Sequence, residues 1–123
     1  MVGGLPSPGN PVQDINESWD GSSWTELADL NTARRSLGGT GSQTAAVVFA
    51  GSTDPGPNVA ITEAWDGSAW TEVADLTTAR QGVGIGAVGQ TSLNTLAFGG
   101  SGTAITASTE EWAYPQNVKV ITD

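Results

Sequence analysis

The residues in this chain best suited to chemistry are its carboxylates, arginines and tryptophans, and they come in matched sets. Glu17 and Glu63 stand in equivalent surroundings, as do Arg34 and Arg80, and Asp20 and Asp66. Paired carboxylates can cleave glycosidic bonds. Aspartates in loops can hold calcium where several oxygens converge. Trp19, Trp24, Trp65 and Trp70 offer aromatic faces on which sugars or cations can stack. Other chemistries lack their residues: with no His and no Cys, Ser-His-Asp and Cys-His nucleophiles and the usual zinc and copper ligand sets are excluded. The glycine-rich 82–89 segment is followed by no helical pattern, so it does not read as a phosphate loop.

The spacing argues against catalysis. An active centre needs one constellation, whereas each feature here recurs once per repeat. Glu17 and Glu63, with Arg34 and Arg80, are therefore expected to make buried or half-buried contacts between repeats, where Arg can fork onto a carboxylate as Lys cannot. Asp20 and Asp66 each precede a glycine, and such turn aspartates accept hydrogen bonds from nearby backbone amides. Neither Asp-Gly-Ser-Ser nor Asp54-Pro55-Gly56-Pro57-Asn58 has the oxygen density that calcium requires. The tryptophans recur in register, as residues that pack neighbouring repeats do, and Trp112 takes the same place in a later copy. The expectation is a non-enzyme with no catalytic residue, metal or cofactor.

The elements that carry these residues form an internal repeat. The stretch from Glu17 to Arg34 recurs from Glu63 to Arg80, an offset of 46 residues, and a third copy opens at Glu110-Glu111-Trp112 before departing at Ala113-Tyr114-Pro115. Gly3-Gly4 occupies the place of Ala50-Gly51 and Gly99-Gly100. Period-two patterning and turn residues divide one unit into four strand-like pieces. The first is 81–88, matched by 35–40, and the second is Ala45–Ala50, matched by 95–99. The continuous apolar run of Ala45–Ala50 predicts burial on both faces. The third, 61–65, meets the fourth, 70–73, through the hairpin turn Asp66-Gly67-Ser68-Ala69, as Asp20-Gly21-Ser22-Ser23 does one unit earlier. Asn117–Thr122 alternates and reads as a strand or an extended tail.

Composition agrees with strands joined by tight turns: 17 Gly and 6 Pro accompany only 14% charged residues. Thirteen acidic against four basic residues give a net charge of −9, which repels nucleic-acid phosphates and anionic membranes. No disulfide can form. The opening six residues lack the basic start and apolar stretch of a secretion signal, and no apolar run reaches membrane-spanning length. An extracellular life would come by another route, such as cell lysis.

At these residues the chain resembles the kelch family, in which a double-glycine strand end is followed by an aromatic-Asp turn, a Trp several residues on, and then an Arg. Here these are Gly99-Gly100, Trp65-Asp66, Trp70 and Arg80, with Trp19-Asp20, Trp24 and Arg34 in the preceding unit. Three departures stand out: Trp replaces the more usual Tyr before the Asp, the turn is short, and Ala50 breaks one double glycine. The wording Glu-x-Trp-Asp-Gly-Ser-x-Trp-Thr-Glu-Val-Ala-Asp-Leu-x-Thr-Ala-Arg looks most like the kelch-type repeats of marine bacteriophage proteins. The Asp66 hairpin is also similar to the Asp-box of sialidase propellers, but it lacks the residue between Asp and Gly.

The resemblance implies an all-β fold of four-stranded antiparallel blades of a β-propeller. A partial blade would span 1–34, a full blade 35–80, and a third blade 81–112 with a divergent tail at 113–123. It implies a virion or tail-fibre component, placed on the particle or outside the cell and touching other virion proteins or the host surface. Propellers close with about four to eight blades. About two and a half per chain therefore predict a ring completed by other chains, with a homotrimer as the leading count; the alternative is that these 123 residues are one processed piece of a longer propeller. The connections 5–16, 52–60 and 101–108 vary between units, and with the blade-to-blade connections they would form one contact face. Asp54, Asn58, Arg35 and Gln81 are its candidate residues. The alternative is a lectin-like propeller binding a surface glycan between blades, and a glycoside-acting enzyme fragment comes third.

Overall fold

The computed structural model describes residues 2–4, 11–53, 55–87, 94–113 and 117–121. Among them every regular element is a β-strand: β1 (Val2–Gly4), β2 (Gln13–Trp19), β3 (Trp24–Leu27), β4 (Gly38–Gly41), β5 (Ala46–Phe49), β6 (Thr62–Trp65), β7 (Trp70–Val73), β8 (Gly84–Ala87), β9 (Asn94–Phe98), β10 (Thr109–Ala113) and β11 (Asn117–Ile121). They form three antiparallel sheets of consecutive strands: β1-β2-β3, β4-β5-β6-β7 and β8-β9-β10-β11. The fold is all-β.

The repeat sets the register. Trp19 pairs with Trp24 and Trp65 with Trp70, so each Asp-Gly turn closes a hairpin at the same point. Asp20 donates its backbone N–H to Ser23 O at 3.2 Å, and Asp66 does the same to Ala69 O at 3.3 Å. The third sheet differs, because its last hairpin has lost the Trp-Asp-Gly wording. β11 nevertheless pairs with β10 along five positions, from Thr109 opposite Ile121 to Ala113 opposite Asn117. The segment read as a strand or tail is thus a fourth strand. The first connection is also shorter than the pattern implied, because β2 already begins at Gln13. Residues 5–10, Asp54 and Val88 lie outside the described residues.

Among the described residues the core consists of two apolar plates, one on each side of the middle sheet. On one side Leu30 meets Val48, Trp65 and Trp70, with Val2 and Leu27 of the first sheet packed against them. On the other, Val47, Phe49 and Leu76 meet Val83, Ala97 and Trp112 of the third sheet. β5 therefore hides both faces, with Val47, Val48 and Phe49 all buried, as its apolar run requires. Its counterpart β9 hides only one: Thr95 and Ala97 are buried, whereas Phe98 is 42% exposed. β4 and β8, the first strands of the second and third sheets, lie close together.

Two backbone positions explain the paired glycines that end these strands. At Gly51 (φ +108°) an added Cβ would lie 2.7 Å from Arg35 O, and at Gly100 (φ +92°) it would lie 2.7 Å from Gln81 O. Both positions thus exclude a side chain by conformation and by space. The partner position is more tolerant. Ala50 takes φ +61° where Gly99 has +66°, and its methyl is fully buried in the core. The broken double glycine keeps the same backbone at a cost of about 1–2 kcal/mol.

Candidate functional site

The residues singled out by the repeat divide into those that hold sheets together and those that line surface recesses. The segment after each Trp hairpin does the holding. Leu30 and Leu76 insert into the two core plates. Arg34 then donates from Nη1 to Glu63 Oε1 at 2.6 Å, and Arg80 from Nη2 to Glu110 Oε1 at 2.8 Å. The other oxygen of each carboxylate accepts a backbone N–H from the same segment: Asn31 to Glu63 at 2.8 Å and Thr77 to Glu110 at 2.7 Å. Each arginine therefore reaches forward into the next sheet. All four charged side chains are buried. Such pairs are desolvated and closed off from solvent.

Asp20 and Asp66 are occupied locally. Asp66 Oδ1 accepts the N–H of Ser68 at 2.8 Å, the N–H of Ala69 at 2.9 Å and the hydroxyl of Ser68 at 2.8 Å. Asp20 accepts the amides of Ser22 and Ser23, both at 2.8 Å, and both hydroxyls at 3.0 Å. These bonds hold both carboxyls below the usual carboxylate range. The amide of Ser23 contributes most at Asp20, and that of Ala69 most at Asp66. Among the described residues no three carboxylates gather into a metal-holding group.

The tryptophans do not share one environment. Trp65, Trp70 and Trp112 are buried, as packing residues should be, but Trp19 is 42% and Trp24 56% exposed. The reason is direction. Trp65 and Trp70 face the first sheet and Trp112 faces the second, so each tryptophan packs on the sheet before its own. Trp19 and Trp24 sit in the first described sheet. Their rings still touch, with centroids 5.3 Å apart at 45°, like Trp65 and Trp70 at 5.3 Å and 41°.

Two recesses stand out among the described residues. A groove of about 420 Å³ runs beside the first two hairpins, lined by Trp19, Trp24, Asn16, Gln43, Trp65 and Trp70 among others. Gln43 bridges the hairpins, donating from Nε2 to Trp19 O at 2.8 Å and accepting at its own carbonyl from Trp65 Nε1 at 2.9 Å. No family model and no curated protein matches this sequence.

The second recess is an open basin of about 600 Å³ lined by Arg35, Ser36, Gln81, Gly82, Gly100, Ser101 and Ile105. Its floor is the repeat itself: Arg35 and Ser52 exchange backbone hydrogen bonds at 3.0 and 2.9 Å, and Gln81 and Ser101 do so at 2.9 Å. Gly82 N–H donates to Ser36 O at 2.9 Å, tying the two units. Arg35 and Gln81, candidates for the contact face, are thus brought together. Asn58 is not among the lining residues: its Nδ2 donates to Ser101 O at 2.9 Å and joins two loops. Ile105, 90% exposed, was missed, although an isoleucine inside the polar 101–108 connection was a visible signal. Gln43 was missed because nothing in the repeat marks its turn.

Proposed function

We propose that this chain is a non-enzymatic interaction and structural module, a segment of a kelch-like β-propeller that serves as a component of a phage-like virion or fibre. The observation that carries the reading is how the most chemical residues of the repeat are spent. Arg34, Glu63, Arg80 and Glu110 join consecutive sheets, and the turn aspartates bond their own backbone. A module built this way works through its shape and its surface. The basin of Arg35, Gln81 and Ile105 supplies a contact face that combines a cation, an amide and an apolar residue. Consecutive four-stranded sheets, with their first strands β4 and β8 side by side, support the blade reading. In that reading other chains complete the ring.

The test is labelling. An antibody raised against the purified chain should decorate intact particles, and electron microscopy should place it on their fibres or outer surface. Label found only on soluble host protein would remove the virion assignment.

One observation favours a second reading, a lectin-like module. Trp19 and Trp24 present exposed aromatic surface beside the exposed side chain of Gln43, a combination of stacking face and amide suited to a sugar. A glycan array separates the two. The structural reading expects no sugar-specific signal, and the lectin reading expects one that Trp24→Ala abolishes.

A further inference from the structure

We infer that the two outer faces of the chain are the two halves of one joint, and that a second copy of this chain docks head to tail to close it. The inference rests on the propeller reading above and assigns the residues and the polarity of the contact.

Within the chain the same joint is built twice. Position 2 of the first sheet and position 49 of the second are equivalent, since Val2 pairs with Asn16 and Phe49 with Thr62. Val2 packs against the plate holding Trp65 and Trp70, and Phe49 lies in the plate holding Trp112. The third member of this series is Phe98, which pairs with Thr109. It is 42% exposed. The third sheet thus offers an apolar knob with no tryptophan on it, while the first offers Trp19 and Trp24 with no knob on them. Each exposed set is the partner type that the other meets inside the chain.

Like faces do not match in this scheme, because every internal joint sets a knob against a tryptophan. The contact is therefore heterologous, and a heterologous contact must close into a ring or grow into a filament. The described residues form three sheets, so two copies of this 123-residue chain would give a ring of six, within the roughly four to eight at which propellers close. Three copies would give nine. The sheet count thus favours a dimer over the trimer expected from two and a half units.

Native mass spectrometry and sedimentation of Trp24→Glu and Phe98→Glu test this. The unmodified chain should run at twice 12.5 kDa. Each variant alone should run as a folded monomer, with the dimer dissociation constant raised by about 100-fold or more, as loss of a buried aromatic anchor does. An equimolar mixture should form a 1:1 heterodimer, because one intact joint remains. A monomeric parent with native circular dichroism overturns the inference and leaves the virion assignment untouched. A Phe98→Glu variant that stays dimeric also overturns it, since the contact would then be tryptophan on tryptophan. So does loss of sugar binding in Trp24→Glu at unchanged mass.

If the glutamate variants fail to fold, the double variant Trp24→Cys/Phe98→Cys reads the same joint, since the chain has no cysteine of its own. Oxidation should link position 24 of one chain to position 98 of another. Unlinked monomers alone would refute the contact.

Discussion

Arg80 places Nη2 2.8 Å from Oε1 of Glu110, a residue thirty positions later and in the next sheet, with both side chains buried. The same relationship holds between Arg34 and Glu63. A motif that looks local in sequence, Asp-Leu-x-Thr-Ala-Arg, is therefore a connector whose target lies one unit ahead. Removing one partner of such a pair strands a desolvated charge, which is costlier than losing the whole pair.

Arg80→Ala should accordingly lower unfolding stability by about 3–5 kcal/mol. Arg80→Lys should recover only part of this loss, since Arg80 also donates from Nη1 to Ser108 O at 3.1 Å and a single ammonium cannot reproduce that fork. Urea unfolding of the three proteins measures both. Equal midpoints for parent and Arg80→Ala would remove the clamp role.

The tryptophans should divide by sheet. Trp70→Ala opens a cavity in a plate where the ring is 7% exposed and should cost about 3–5 kcal/mol. Trp24→Ala, at the equivalent position but 56% exposed, should cost the isolated chain about 1 kcal/mol or less, mainly its contact with Trp19. Paired denaturation curves at protein concentrations low enough to keep the chains apart check the contrast.

The turn aspartates set a pH window. Asp66 is held below its ordinary value of 3.8 by the amide of Ala69 and the hydroxyl and amide of Ser68. A folded-state pKa below the unfolded one means that the unfolded chain takes up its proton first as pH falls. The stabilisation is therefore complete above the unfolded value and disappears as pH drops through the folded one. Asp66→Asn keeps an acceptor for the turn but no titration. The parent should be the more stable at pH 7, and its advantage should shrink below pH 3.8 and vanish in stronger acid. Thermal melts across pH 2–7 would show it, and a constant gap would contradict the linkage.

Gly100→Ala should destabilise the chain by about 1–3 kcal/mol, because φ +92° is strained for any L side chain and the new methyl would press on Gln81 O. Gly51→Ala should behave alike against Arg35 O. A neutral result at either site, in chemical unfolding, would mean that the paired strand can retreat.

Much of the fold was legible because the repeat repeats its turns. Trp-Asp-Gly-Ser-x-Trp announces β2–β3 and β6–β7 to the residue at their hairpin ends, and the apolar run at 45–50 announces β5 with both faces hidden. The direction of packing was not legible. Period-two alternation puts Trp19 and Trp65 on corresponding faces but cannot say whether that face looks to the sheet before or after, so the exposure of Trp19 and Trp24 is visible only in the folded arrangement of the sheets. The forward reach of Arg34 was hidden for the same reason, since Glu17 and Glu63 are equally plausible partners on paper. β11 was hard to assign because it follows Pro115 and has lost the Trp-Asp-Gly wording that marks the other hairpins. Of the proposed contact face, Arg35 and Gln81 lie together in the basin, whereas Ile105 needed a location to become conspicuous.

The middle sheet, flanked on both sides, has a kinetic corollary. In a stack where each layer leans only on its neighbours, opening starts at the outermost layers and travels inward. The amides of Val47, Val48 and Phe49 should be the last in the chain to trade hydrogen for deuterium, and those of β1 and β9 should go earlier. A partner seated on both outer layers would flatten that gradient, making exchange slow everywhere at once.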